Sequence, residues 1–201
     1  MRSVDSMRKN KTETEQTIQN LLEIARQHFI ACGYANVTLE EIAKEANVTR
    51  GALYHHFKNK KGIFLAVFEM VQIEIREYVE SEAAKNNDSW QQLINGCRAF
   101  LEGAVQSHNQ RILLIDGPAV LGWDTFRIMD EKYSMKSLKE QLQFMQKQDL
   151  IKPFSVEAMS HCLSGAMNEV VLWISDHLNQ KDVIEEAMIV LQNMLEGLRN
   201  R

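Results

Sequence analysis

Two prolines, Pro118 and Pro153, stand in 201 residues, so little in the chain interrupts helices. The three cysteines, Cys32, Cys97 and Cys162, are far apart and lack the paired spacing of a metal site. They read as reduced, mostly packed thiols. No run of about 18 uncharged apolar residues exists, so no membrane span is expected. The opening stretch MRSVDSMRKNKTETE lacks the apolar segment of a secretory signal, and a cytoplasmic location is expected. Also missing are a P-loop, a G-x-S-x-G turn, a G-x-G-x-x-G loop and Glu-x-x-His pairs. His161 and Cys162, being adjacent, point about 100° apart on a helix, a poor metal pair. Glu169 and His161 share a helix face, which is too little for acid–base chemistry. The expectation is a non-enzyme without metal or cofactor.

What is present is apolar and charged in a particular distribution. Hydrophobic residues make up 45%, and the formal net charge is −4. That total hides an asymmetry. Residues 1–62 hold ten Lys/Arg against seven Asp/Glu, whereas residues 63–201 hold thirteen against twenty. Positive potential therefore gathers on the amino-terminal part, where an anionic partner would dock.

The stretch TLEEIAKEANVTRGALYHHFKNKKGIF, Thr38 to Phe64, carries the chemistry. Thr38 and Glu41 form a capping box that starts a helix. Leu39, Ile42, Ala43 and Ala46 then repeat at three- and four-residue spacing. Asn47 suits the left-handed position at a helix end, and Val48 tucks under the turn. Thr49 caps a second helix running to about Phe57. On it Leu53 and Phe57 face inward, leaving Arg50, Gly51, Tyr54, His55 and Lys58 outside. Gly51 costs about 1 kcal/mol against Ala in a helix, a loss that close approach to a groove wall offsets. Helix, tight turn, helix is the arrangement that lays a helix in the DNA major groove. On that reading Arg50 suits a guanine edge, His55 reaches a base, and Gly51 and Ala52 lie against thymine methyls or sugars. Thr38, Thr49, Tyr54, Lys58 and Lys60 fit phosphates.

The longer run from Ile18 to Phe68 is similar to the DNA-binding domain of the tetracycline-repressor (TetR) family. The resemblance rests on Ala25-Arg26, Phe29, Gly33-Tyr34, Thr38, Ile42-Ala43, Val48, the unbroken Arg50 to Lys60 segment and Phe64. It departs at Asn47, where the family usually has Gly, and at Lys61, where an acidic residue is often found. The resemblance implies that the named hairpin positions touch DNA. It also implies a homodimer with a ligand-binding domain following the hairpin.

The remaining pattern is helical throughout. A first helix is expected from about Glu13 to Cys32, stopped by Gly33. A fourth, capped by Asn59, carries Ile63, Phe64, Val67, Phe68, Val71 and Ile75 to about Lys85. A capping box of Ser89 with Gln92 opens the next, and Asp116-Gly117-Pro118 reads as a turn. One helix is expected from about Asp124 to Gln148, and two more over 155–177 and 179–198. The whole predicts an all-α protein. Residues 1–12 form a disordered tail, in which Arg8, Lys9 and Lys11 are basic. Residues 13–60 form a three-helix helix-turn-helix domain, and 61–201 a larger ligand-binding and dimerisation domain of about nine helices.

The last two helices carry apolar stripes wider than one neighbour needs, which predicts a two-fold homodimer through a four-helix bundle. Such a dimer reads a palindromic operator on double-stranded DNA. Residues expected to line a pocket for a small-molecule effector are Trp90, Phe100, Leu101, Trp123, Phe126, Met129, Phe144, Met145, His161, Met167, Asn168 and Trp173. Arg98 and Glu169 are further polar candidates, and the acidic composition points to cationic effectors. The leading expectation is a repressor released by its ligand. A ligand-independent or activating regulator and a helical-bundle enzyme are the alternatives. A helical adaptor that binds only proteins has no need of the Arg50 to Lys60 constellation.

Overall fold

A computed structural model describes residues 2–200, with side chains described from Thr14 to Asn200. Among the described residues the elements are helices, and the one bridge pairs Ile151 with Arg199. In chain order they are α1 (Arg2–Asn36), α2 (Leu39–Glu45), α3 (Arg50–Phe57), α4 (Lys60–Ala83), α5 (Ser89–Ala104) and α6 (Ser107–Gln110). A π-helical turn (Arg111–Asp116) then leads into α7 (Gly117–Leu121), α8 (Trp123–Lys132), α9 (Ser134–Lys147), α10 (Val156–Ser175) and α11 (Gln180–Glu196). The chain divides into two compact units, Met1–Met70 and Val71–Arg201. The expected tail, 1–12, lies outside the described side chains.

In the first unit, α1 is interrupted at Gly33, whose φ of 74° is the left-handed value glycine tolerates. Leu21, Ala25 and Phe29 on α1 have no exposed surface. Phe29 meets Phe64 edge-on at 5.2 Å, and Tyr34 meets the same ring at 5.2 Å. That cluster explains why the first unit ends at Met70 and not at residue 60. Ile63, Phe64, Val67 and Phe68 at the start of α4 are fully buried, each side chain contributing about 1.5–3 kcal/mol.

In the second unit three local expectations shift. The cap of α5 is Asp88, whose Oδ1 accepts from the Gln91 N–H at 2.8 Å, and not Ser89. A carboxylate there also complements the helix dipole, and Ser89 becomes the first helical residue. Gly117-Pro118 does not turn the chain but opens α7, because proline fits the first turn of a helix. The turn falls instead at Gly122, with φ 84°. The single helix expected over 124–148 is two, α8 and α9, parted at Tyr133. Across the unit, Arg98 on α5 donates to Glu185 on α11 at 2.9 Å, and Gln141 on α9 donates to the Ser89 carbonyl at 2.9 Å. The segment after α9 holds the end of α11, with Lys152 N–H on the Leu198 carbonyl at 2.8 Å.

Candidate nucleic-acid interface and cavity

The hairpin is built by its own side chains. Thr38 Oγ1 accepts from the Glu41 N–H at 3.3 Å while Glu41 Oε2 accepts from the Thr38 N–H at 3.0 Å, completing the capping box. The Thr38 hydroxyl also donates to Glu41 at 2.7 Å, and these bonds hold the Glu41 carboxyl below its usual range. Asn47 sits at φ 54°, and the Val48 N–H bonds the Ala43 carbonyl at 3.0 Å to close the turn. Thr49 Oγ1 accepts from the Ala52 N–H at 3.1 Å. Its own hydroxyl proton stays available for a phosphate.

On α3, Leu53 is fully buried and Phe57 half-buried, while Arg50, Gly51, Tyr54 and His55 are exposed and Ala52 is half-buried. A Cβ placed on Gly51 would meet only Thr49 Oγ1, at 3.9 Å, so the space over it is open. Arg50 is held from two sides. Its Nη2 donates to the Tyr54 hydroxyl at 3.2 Å, its Cζ lies 5.2 Å from that ring's centre, and its Nη1 is 2.8 Å from Glu40 Oε1. The Tyr54 hydrogen bond and the Glu40 charge raise its already high pKa, so it stays charged. Glu40, on the helix before the turn, is a part of this arrangement that the sequence pattern does not reveal.

Lys60 corrects an expectation. Its ammonium donates to the carbonyls of Tyr34 (2.7 Å), Ala35 (3.1 Å) and Val37 (2.8 Å), and lies 4.5 Å from the Tyr34 ring centre. An ammonium has three donors, and all three are taken by carbonyls at and just after the end of α1. Lys60 is therefore a clamp on α1 and not a phosphate ligand. Lys58 keeps an exposed side chain on a left-handed backbone, φ 64°. Asn59 caps α4 through Oδ1, which accepts from Gly62 N–H at 2.8 Å. A Cβ on Gly62 would stand 2.0 Å from the Phe57 carbonyl oxygen, so this position needs glycine.

The second unit contains a cavity of about 390 Å³ between α4, α5, α9 and α10. Its wall is apolar at Ile75, Leu93, Cys97, Phe100, Met135 and Met167, all buried. Burial pushes the Cys97 thiol up to about 12, so it serves as wall and not as nucleophile. Polar lining comes from Arg76, Glu80, Gln92, Ser134, Ser137, Glu140, Gln141 and Ser164. Ser164 donates to the buried Asp130 carboxylate at 3.0 Å, which Arg127 also contacts at 2.8 Å. Burial raises the Asp130 pKa, and the Arg127 charge and Ser164 hydrogen bond oppose that rise.

Residues 21–67 match the family described as bacterial regulatory proteins, tetR family, and residues 90–198 match the tetracyclin repressor-like C-terminal domain, which alone spans more than half of the chain. The chain belongs to the TetR family. These are transcription regulators, and this TetR-family chain is one of them, not an enzyme. It is similar to a TetR-family transcriptional regulator from Pectobacterium atrosepticum, at 30% identity and a TM-score of 0.77, covering 94% of this chain and 97% of that one. It is 22% identical over 187 residues to the transposon Tn10 TetC protein of Escherichia coli, covering 93% of this chain and 94% of that protein. With the regulator AcrR of Shigella flexneri it shares 36% identity over 108 residues, 53% of this chain and 50% of that protein.

Of the residues expected to line an effector pocket in this TetR-family protein, Phe100 and Met167 stand on the cavity wall. Leu101, Phe126, Met129 and Met145 are packed in the core, and Trp90 is buried with Arg199 4.9 Å over its ring. Trp123, Phe144 and Trp173 are exposed. His161 Nδ1 is 2.6 Å from Arg127 Nη2, and Asn168 is half-buried on α10. Arg98 is committed to Glu185, and Glu169 is exposed. The α4 contribution was missed because Ile75 and its neighbours read only as core. The breadth of the α10 and α11 stripes has a visible counterpart. Leu163, Val171, Ile184, Met188, Leu191 and Leu195 are buried, while Ile189, Val190 and Met194 on the other side of α11 are 61%, 58% and 56% exposed. No helix of the described residues is long and apolar enough to cross a membrane.

Proposed function

We propose that this protein is a transcription repressor that binds a palindromic operator as a homodimer and is released by a small molecule. The observation that carries the reading is the outer face of α3, where Arg50, Gly51, Tyr54 and His55 are exposed around a fixed guanidinium. Arg50 reads a guanine edge, and His55 a neighbouring base. Gly51 and Ala52 allow close approach to sugars and thymine methyls. Thr49, Tyr54 and Lys58 take phosphates, with Thr38 at the start of α2 beside them.

The homodimer is supported by the exposed Trp173 on α10 and Ile189, Val190 and Met194 on α11, beside the small Cys162 and Gly165. An apolar patch of this kind marks a protein interface. A second copy of the same two helices covers it in a four-helix bundle. Ligand control is supported by the cavity, because α4 both belongs to its wall through Ile75 and Val79 and runs on from the first unit. A ligand that displaces α4 changes the separation of the two recognition helices, and both half-sites are then lost together. The cytoplasm is the expected location.

Genomic footprinting tests the function. Protection of discrete promoter sites, with affinity falling steeply as salt rises, is expected. Binding spread evenly over the genome contradicts a regulator of particular genes.

A further inference from the structure

Helix α9 brings a polar stripe to the cavity. Ser134, Ser137 and Gln141 line it, and their three- and four-residue spacing puts them on one helix face. Each spends its protons on a neighbouring helix. Ser134 donates to Gln72 Oε1, and Ser137 to Glu80 Oε1 at 2.7 Å, both on α4. Gln141 Nε2 donates to the Ser89 carbonyl at 2.9 Å and to Gln92 Oε1 at 3.4 Å, both on α5. Ser164, on the α10 wall, donates to Asp130 at 3.0 Å. A hydroxyl has one proton and an amide nitrogen two, so these four side chains have only their oxygens left to offer. Gln141 is the most open of them. It is half-buried, and its Oε1 accepts no hydrogen bond from the described residues and keeps accessible surface.

The charges on the lining are matched. Arg76 Nε lies 3.6 Å from Glu80 Oε1, and Glu140 lies 3.9 Å from Lys136 Nζ. The deep wall, Leu93, Cys97, Phe100, Met135 and Met167, is apolar and buried. A charged ligand would leave water for a wall with no unmatched counter-charge, a cost that an uncharged one avoids. The neutral donor left on the lining is the second amide proton of Gln92, whose first goes to the Asn86 carbonyl at 2.8 Å. Gln92 and Gln141 are bonded to each other, so an accepting oxygen and a donating N–H stand on adjoining amides.

We infer that the cavity binds an uncharged apolar molecule carrying a hydroxyl, which donates to Gln141 Oε1. The body lies along Leu93, Phe100 and Met167, and the hydroxyl oxygen accepts from Gln92. An ether of the same shape has no proton to give and leaves the Gln141 oxygen unanswered. This replaces the cationic effector that overall charge suggests, because net charge reports the surface and not this wall. The inference rests on the second unit being the ligand-responsive one.

Calorimetric titration of the full chain with octanol, heptyl methyl ether, octanoate and octylammonium tests it, since the four are alike in length. Octanol should bind about three- to tenfold tighter than the ether, the worth of one neutral hydrogen bond. It should bind about tenfold or more tighter than either ion. Gln141→Met should bring octanol down to the level of the ether and leave the ether unchanged, a change of preference that a loosened fold does not produce. Thermal unfolding shows whether the variant is folded, and the octanol-to-ether ratio of the unaltered protein decides the matter if it is not. An ether that binds as well as octanol, an ion that binds best, none of the four binding, or a folded Gln141→Met protein that keeps the preference would each overturn the proposal. Binding to DNA is measured on the same samples. Octanol that binds as expected yet leaves DNA affinity unchanged upholds the site and contradicts ligand release. DNA binding that survives in a protein that takes up none of the four contradicts the site alone.

Discussion

Arg50 and Lys60 lie ten positions apart, carry the same charge, and have different duties. The Arg50 guanidinium is exposed at the start of α3, fixed by Tyr54 at 3.2 Å and Glu40 at 2.8 Å. On the proposed reading, two restraints on one flexible side chain reduce the rotamer entropy that docking on a base would cost. Glu40 is exposed and the pair sits in water, so its role is orientation more than stability. Arg50→Ala is expected to cost roughly 1–3 kcal/mol of discrimination at one base position, leaving binding to random DNA nearly unchanged. Competition gel shifts against singly substituted sites measure this. Lys60→Met is expected to act on folding instead. It leaves three carbonyls at and just after the end of α1 without their donor, a loss of about 1–3 kcal/mol in chemical denaturation. Equal loss of specific and random DNA binding by both variants contradicts this division. The roles of Lys60 and Glu40 were hidden in the sequence because their partners lie on other elements, and spacing along one helix cannot show them.

At the scale of elements, local grammar decided most of the hairpin. A capping box, a left-handed Asn47 and a second threonine cap are each complete within a few residues, so they are readable in order along the chain. The same holds for Asn59 capping α4. Gly62 shows where that reading stops. Its sequence context is an ordinary first helical turn, yet the Phe57 carbonyl would be 2.0 Å from an added Cβ. Gly62→Ala is therefore expected to destabilise the protein by about 1–3 kcal/mol or more through a forced backbone shift, seen as a lower unfolding midpoint. Gly51→Ala, with open space above it, is expected to leave the midpoint unchanged or slightly raised and to act on DNA affinity. The break at Tyr133 was likewise invisible, since the apolar period continues across it. That break separates α8 from α9, and α9 forms one side of the cavity. Periodicity says which faces are apolar, not which of them leave a gap, so most expected pocket residues proved to be core or surface.

At the scale of the whole molecule, the charge asymmetry and the wide carboxyl-terminal stripes belong to one design. On the proposed reading, a basic reading head binds weakly alone, and duplication through α10 and α11 would give two contacts for one ordering cost. Val190→Glu is expected to produce a folded monomer, because that side chain is exposed in the single chain and only a partner would be repelled by the charge. Sedimentation should show half the mass, with unchanged helicity and a fall in operator affinity of about 100-fold or more. An unchanged dimer would move the interface elsewhere.

Selection of binding sites from a pool of random duplex DNA, using the intact protein, tests the central claim most directly. The account predicts enrichment of an inverted repeat whose half-sites are centred about one helical turn (~34–36 Å) apart or slightly more, and loss of that enrichment with Arg50→Ala. Enrichment of a single unrepeated site, or no enrichment over the starting pool, would contradict it.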